Sequence, residues 1–209
     1  VKCHDRVKTV EAGAFYECPS LRRVIMPGVR VVERWAFKYC EALTYVECDK
    51  LERIGRSAFG RCKSLGSINL PSAKIVGGSA FNYCTALTNV EFSDKLESIR
   101  AVAFYCCTSL ERITIPLKDG MITRNEIFQG CENLKHVDLV EGELHETTAA
   151  LLLEGWKNNI GEEINSINQI LPTTHAGNCL FDVGEKAQAV RMWIRSVLRK
   201  IIHYKAEHK

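Results

Sequence analysis

The chain has 209 residues, 25% charged and 46% hydrophobic, ordinary values for a folded protein and against wholesale disorder. Its formal net charge of +3 is too small to imply a nucleic-acid partner. No apolar run approaches the ~20 residues of a membrane-spanning helix. The chain opens Val1-Lys2-Cys3, with neither an initiator Met nor an apolar leader, so it reads as a fragment with no visible secretory signal.

The ten cysteines expose the organisation. Six of them lie three residues after a Phe: Phe15/Cys18, Phe37/Cys40, Phe59/Cys62, Phe81/Cys84, Phe104/Cys107 and Phe128/Cys131. The Phe-to-Phe intervals are 22, 22, 22, 23 and 24, and a fixed period in this range marks a solenoid. Leu21, Leu43, Leu65, Leu87, Leu110 and Leu134 follow the cysteines by three. A β-branched residue comes three later, from Val24 to Val137, and another apolar residue two beyond that, from Met26 to Leu139. Ahead of each Phe stand Ala at one residue and Val or Ile at five, as Val10/Ala14 and Val32/Ala36. The consensus is V/I-x-x-x-A-F-x-x-C-x-x-L-x-x-V/I-x-φ-P, where φ is apolar. The sixth copy departs from it: Gly120-Met121-Ile122-Thr123 is out of register and Ile127 replaces Ala. Terminal repeats are atypical where they cap a stack.

Each copy is too short to bury its own apolar face. The V/I-x-φ piece alternates with period two and predicts a short strand with Val24 and Met26 inward. The Ala-Phe-x-x-Cys piece predicts a tight helical turn with Phe inside and Cys at a narrow corner. Stacked coils stand about 4.8 Å apart along a parallel sheet.

The six-fold Ala-Phe-x-x-Cys-x-x-Leu pattern over residues 7–140 resembles the BspA-type leucine-rich repeat family. The resemblance implies a right-handed leucine-rich-repeat solenoid of short parallel β-strands. It also implies an adhesion or protein-binding role and no enzyme; it names no partner.

The cysteines then read as a ladder of buried thiols, with Cys48 also in an inward strand position. Buried Cys behaves as a small hydrophobe. Disulfides between neighbouring coils are sterically conceivable, but a free ladder in a reducing, intracellular setting is the preferred reading. No C-x-x-C occurs, so neither metal nor cofactor is expected. Cys106 is expected to face outward, without an activating partner.

The outward strand positions vary while the inward ones hold constant, as on a recognition face. Arg23, Tyr45, Glu47, Asn69, Asn89, Glu91, Arg112 and His136 are the candidate partner-binding residues, with Arg and Tyr foremost as hot-spot types. A solvated face with no role is the competing reading. His136 and Asp138 sit two apart on the same face and read as surface polar residues, since no nucleophile or cleft accompanies them.

After Leu139 the period stops. Residues 141–171 carry one Lys against six Glu. Apolar residues from Ala149 to Leu171 fall three or four apart, so an acidic helical cap over the last coil is expected. Residues 172–183 form a breaker-rich linker. From 184 to 209 the chain predicts a basic amphipathic helix that continues to the end of the sequence, with seven Lys or Arg against two Glu. Its a/d seam includes Val190, Ile194, Val197 and Ile201, widened by Trp193. Four occupants compete for that seam: the acidic helix, a second copy of the chain, an anionic membrane and a calmodulin-type receptor. Protein pairing is preferred, with a lean to self-association; membrane is secondary and nucleic acid weaker still.

The sequence therefore supports a non-catalytic protein-binding or scaffolding module. The alternative is an assembly module acting through residues 184–209, with the solenoid as a rigid spacer.

Overall fold

The computed structural model describes residues 1–140, Ile167, Leu171 and 185–207. Each repeat makes one coil, and each coil contributes up to two strands. The V/I position ahead of Phe builds β1 (Thr9–Val10), β3 (Val31–Val32), β5 (Arg53–Ile54), β7 (Ile75–Val76) and β9 (Ser98–Ile99). These pair in parallel in the order β1-β3-β5-β7-β9. The V/I-x-φ piece builds β2 (Arg23–Ile25), β4 (Tyr45–Glu47), β6 (Ser67–Leu70), β8 (Asn89–Phe92), β10 (Arg112–Ile115) and β11 (His136–Leu139). This face divides into a β2-β4 pair and a four-stranded run β6-β8-β10-β11. Pairing joins repeat equivalents, as Val24↔Val46, Ile68↔Val90 and Ile113↔Val137. A slip of one residue would turn the whole inward set outward.

The segment around each Phe adds a third ladder. Phe15, Phe37, Phe59 and Phe81 donate their N–H to Ala36, Ala58, Ala80 and Ala103 of the next coil at 2.7–2.8 Å. The expected helical turn takes the form of single i+3→i bonds, such as Cys40 N–H to Phe37 O at 3.1 Å. Left-handed residues interrupt these bonds two positions before and two after the Phe. In the third coil they are Ser57 (φ 51°) and Arg61 (φ 60°), in the fifth Val102 (φ 52°) and Cys106 (φ 54°). A non-glycine residue in that region is strained and persists where its surroundings over-determine it; here three inter-coil ladders do so. Only the sixth copy forms a 3-10 helix, Asn125–Phe128. Its out-of-register segment is an added residue absorbed locally: Ile122 still bridges to Ile99, and both Met121 and Ile122 are buried.

Inside, the repeat produces a column of rings. Phe15, Phe37, Phe59, Phe81, Phe104 and Phe128 stack successively with centroids 5.1–5.9 Å apart, the first four pairs within 7° of coplanar. Beside it runs the thiol ladder. Cys40, Cys62, Cys84, Cys107 and Cys131 donate to the carbonyl of Phe15, Phe37, Phe59, Phe81 and Phe104 at 3.1–3.2 Å. The same Phe carbonyls in the middle coils also accept a Cys N–H from their own coil, so the thiol fills a second lone pair that Ala would leave empty. Burial pushes the Cys40 thiol up to about 11 and the Cys84 thiol to about 12. None of the nine described cysteines is in a disulfide. Cys18, in the first coil, is only half-buried. Cys106 corrects the outward expectation: it is 2% exposed, its short side chain lying against Tyr105, whereas the longer Arg61 and Tyr83 at the equivalent position are half-buried.

The 23-residue helix α1 (Glu185–Glu207) closes the far end. Its seam, Val190, Trp193, Ile194, Val197 and Ile201, is buried in one continuous core with the last coil. The expected acidic cap at 141–171 and the linker at 172–183 lie outside the described residues, apart from Ile167 and Leu171, both buried in that core. Among the described residues, then, the basic helix does the capping, and no coiled-coil pairing of α1 with another helix is seen. Lys186 shows how. Its buried ammonium donates to Cys131 O at 2.5 Å and Glu132 O at 3.0 Å. In earlier coils the carbonyl equivalent to Glu132 accepts an N–H from the next coil, as Glu41 O does from Ser64 and Lys63 O from Ala86. Lys186 supplies the donor that a following coil would have supplied. Arg195 Nε meets Asp119 Oδ1 at 2.9 Å at the rim.

Candidate functional site

The parallel register lines the outward residues of β2, β4, β6, β8, β10 and β11 into rows. Arg23 stands opposite Tyr45, Asn89 opposite Ser67 and Arg112, and Arg112 opposite His136. The second row contains Glu47, Asn69, Glu91, Thr114 and Asp138. The break between β4 and β6 divides the candidates into two groups.

In the first group the Arg23 guanidinium lies 4.6 Å from the Tyr45 ring centroid. The Tyr45 hydroxyl donates to Glu47 at 3.3 Å. These three side chains form one exposed cluster whose ring and cation satisfy each other.

The second group borders a groove of about 600 Å³ lined by side chains of four successive coils. Asn69, Glu91, Arg112, Thr114 and Asp138 give it polar walls, and the turn residues Pro71, Ser93 and Val140 close one side. Arg112 pairs with Asp138. Glu91 accepts from Asn89 Nδ2 at 2.8 Å, and Asn89 Oδ1 is buried without a partner among the described residues. With two carboxylates against one guanidinium, the groove carries a net negative charge. Its acceptors outnumber its donors, which suits a ligand presenting N–H groups or a cation. His136 is exposed beside this group but does not line the groove.

Of the candidates named from sequence, the structure brings Asn69, Glu91 and Arg112 together around one groove. It does not join them to Arg23 and Tyr45. Thr114 and Asp138 also belong to the groove; Asp138 was read only as a surface polar residue, and the alternation of β10 and β11 was the signal for both. The seam of α1 is not part of any open surface: all five seam residues named above are covered by their own chain. Among the described residues, the large apolar side chains that α1 leaves exposed are Met192 and Ile202. No group of three His, Cys, Asp or Glu side chains suited to a metal ion occurs among the described residues, and no helix there is long and apolar enough to cross a membrane.

Comparison with known proteins agrees with this architecture. The family model described as the BspA type leucine rich repeat region matches in six copies, over residues 1–74 and 52–151. A leucine-rich repeat protein of T. pallidum superposes with a TM-score of 0.62 at 25% identity, over 74% of this chain and 83% of that one. A leucine-rich repeat protein from Bacteroides ovatus gives 0.56 at 25% identity over 65% of this chain. One from Eubacterium ventriosum gives 0.56 at 24% identity over 64% of it. The match spans only 35% and 37% of the length of these last two. No curated protein matches the sequence. With matched segments spanning well over half its length, the chain belongs to the BspA-type leucine-rich repeat family.

Proposed function

We propose that the chain is a non-catalytic binding module that receives a protein segment in the groove over β6, β8, β10 and β11. The fold is commonly a protein-interaction scaffold and typically non-enzymatic. The observation that carries the proposal is the groove itself: a negatively charged recess whose polar walls are variable outward positions, on coils whose inward positions repeat. A partner strand or loop offering a Lys, Arg or backbone N–H would meet Glu91, and the Arg112–Asp138 pair would orient it. Assembly through the helix seam is the weaker reading, because the seam would first have to leave the core.

The test is an alanine scan on the full chain, read as affinity for a partner recovered with it and then purified. Arg112→Ala and Glu91→Ala should each weaken binding about tenfold, as hot-spot or charge-assisted contacts do. Arg23→Ala and Tyr45→Ala report whether the first cluster extends the interface. Full affinity in all four variants, with loss on changing Met192 and Ile202, would move the function to α1.

A further inference from the structure

The residue three before each Phe opens the turn; in successive coils it is Ala12, Arg34 and Arg56. Its backbone N–H takes no part in the inter-coil ladders. In the first coil that N–H is satisfied by a side chain: Ala12 donates to Glu33 Oε2 of the next coil at 3.0 Å. Two coils then break the pattern. The residue equivalent to Glu33 is Gly55 in the third coil and Gly77 in the fourth. A Cβ on Gly55 would stand 2.6 Å from Arg34 N and 2.5 Å from Glu33 C, so the backbones approach too closely there for any side chain. Gly55 thus packs directly over the Glu33–Arg34 peptide bond, and no carboxylate of the third coil stands beside Arg34 N–H as Glu33 stands beside Ala12 N–H. Arg34 N–H donates to no atom among the described residues.

Around this position is a pocket of about 300 Å³ lined by the side chains of Arg34, Arg53 and Arg56. Arg53 and Arg56 are exposed and make no ion pair with a described residue. The Arg34 guanidinium lies 5.1 Å from the centroid of the exposed Trp35 ring. The only carboxylate at the rim, Glu33, is committed to Ala12. Neighbouring cations do have a carboxylate partner: Arg30 and Lys74 share Glu52, at 2.8 and 3.0 Å. The pocket is the more positive of the two places, with three guanidinium groups against Glu33, and there a backbone N–H also lacks its acceptor.

We infer that this pocket binds an oxyanion of the phosphate or sulfate class. The anion stands beside Arg34 N–H where the Glu33 carboxylate stands beside Ala12 N–H, and Arg34, Arg53 and Arg56 neutralise it. The site lies on the β1-β3-β5-β7-β9 sheet, away from the groove proposed for protein binding, and does not depend on it.

The experiment follows the amide resonances of the full chain during titration with inorganic phosphate and, separately, sodium sulfate, ionic strength being held constant with NaCl. Saturable shifts at Arg34 and Arg56 are expected with both anions; whichever binds more tightly identifies the source class. Arg53→Gln and Arg56→Gln should each weaken binding about tenfold, the usual loss for one charge-assisted contact. Arg30→Gln, whose side chain is already paired with Glu52 and does not line the pocket, should leave it unchanged. Linear shifts matching those of NaCl alone would overturn the inference. So would wild-type affinity in both pocket variants, or equal weakening by Arg30→Gln.

Discussion

Phe59→Ala is the sharpest probe of the packing. Phe59 is fully buried and sits between Phe37 at 5.3 Å and Phe81 at 5.4 Å, both nearly coplanar with it. Truncating a core Phe costs about 3–5 kcal/mol in lost transfer energy and cavity formation. Two ring contacts vanish with it, each worth about 0.5–1.5 kcal/mol beyond area, so the upper half of that range is expected. Phe15→Ala is the internal comparison. Phe15 is half-buried at the end of the column and stacks only on Phe37, at 5.1 Å, so its loss should be about half as large. Urea unfolding followed by circular dichroism measures both, and equal slopes would show that the denatured states are comparable. A Phe59→Ala loss under about 1 kcal/mol, or one no larger than that of Phe15→Ala, would mean that the Phe column is not the continuous core.

Three further outcomes are expected. Alkylation at pH 8 should label the half-buried Cys3 and Cys18 long before Cys40, Cys62 and Cys84, because burial holds the ladder thiols protonated; rapid native labelling of Cys62 would refute this. Lys186→Met removes the donor to Cys131 O and Glu132 O and should loosen α1 by about 1–3 kcal/mol, seen as faster amide exchange over 185–207 with little change in the first coils. Glu52, hydrogen-bonded to Lys74, and Asp119, hydrogen-bonded to Arg195, are held below the ordinary carboxylate range. Their stabilisation is therefore present above the unfolded pKa and lost as pH falls through the folded one. Melting curves of Glu52→Gln and Asp119→Asn should converge with wild type in acid and lie slightly below it near neutrality.

The coil was legible because one side chain per position is asked to meet its own copy 22 residues on. Phe stacks on Phe and V/I pairs with V/I, so periodicity in sequence becomes contact in space. The second sheet was harder to see: β1, β3, β5, β7 and β9 are two residues each, too short for an alternation to show. The left-handed turns were hidden for another reason. Ser57, Arg61 and Tyr83 have no preference for positive φ; lateral hydrogen bonds impose it, and a local reading does not contain those bonds. The helix seam was read correctly as apolar, but amphipathicity states only that a face is covered. The last coil, with carbonyls awaiting donors, is a nearer occupant than a second chain, and a buried lysine in the first turn of α1 carries no sequence signal for that role. On the outward strand face, alternation marked the rows, whereas the break between β4 and β6 that separates Tyr45 from Asn69 is tertiary.

Site-resolved photocrosslinking tests the central claim most directly. A crosslinking amino acid is placed singly in the full chain at Asn69, Glu91 or Thr114 on the groove, at Lys74 or Ser98 on the other sheet, and at Met192 or Ile202 on α1. Each protein is then irradiated with the purified partner. The account predicts adducts to one contiguous partner segment from the groove positions, abolished by Arg112→Ala, and none from the other two surfaces. Adducts concentrated at Met192 and Ile202, with the groove positions silent, would contradict it.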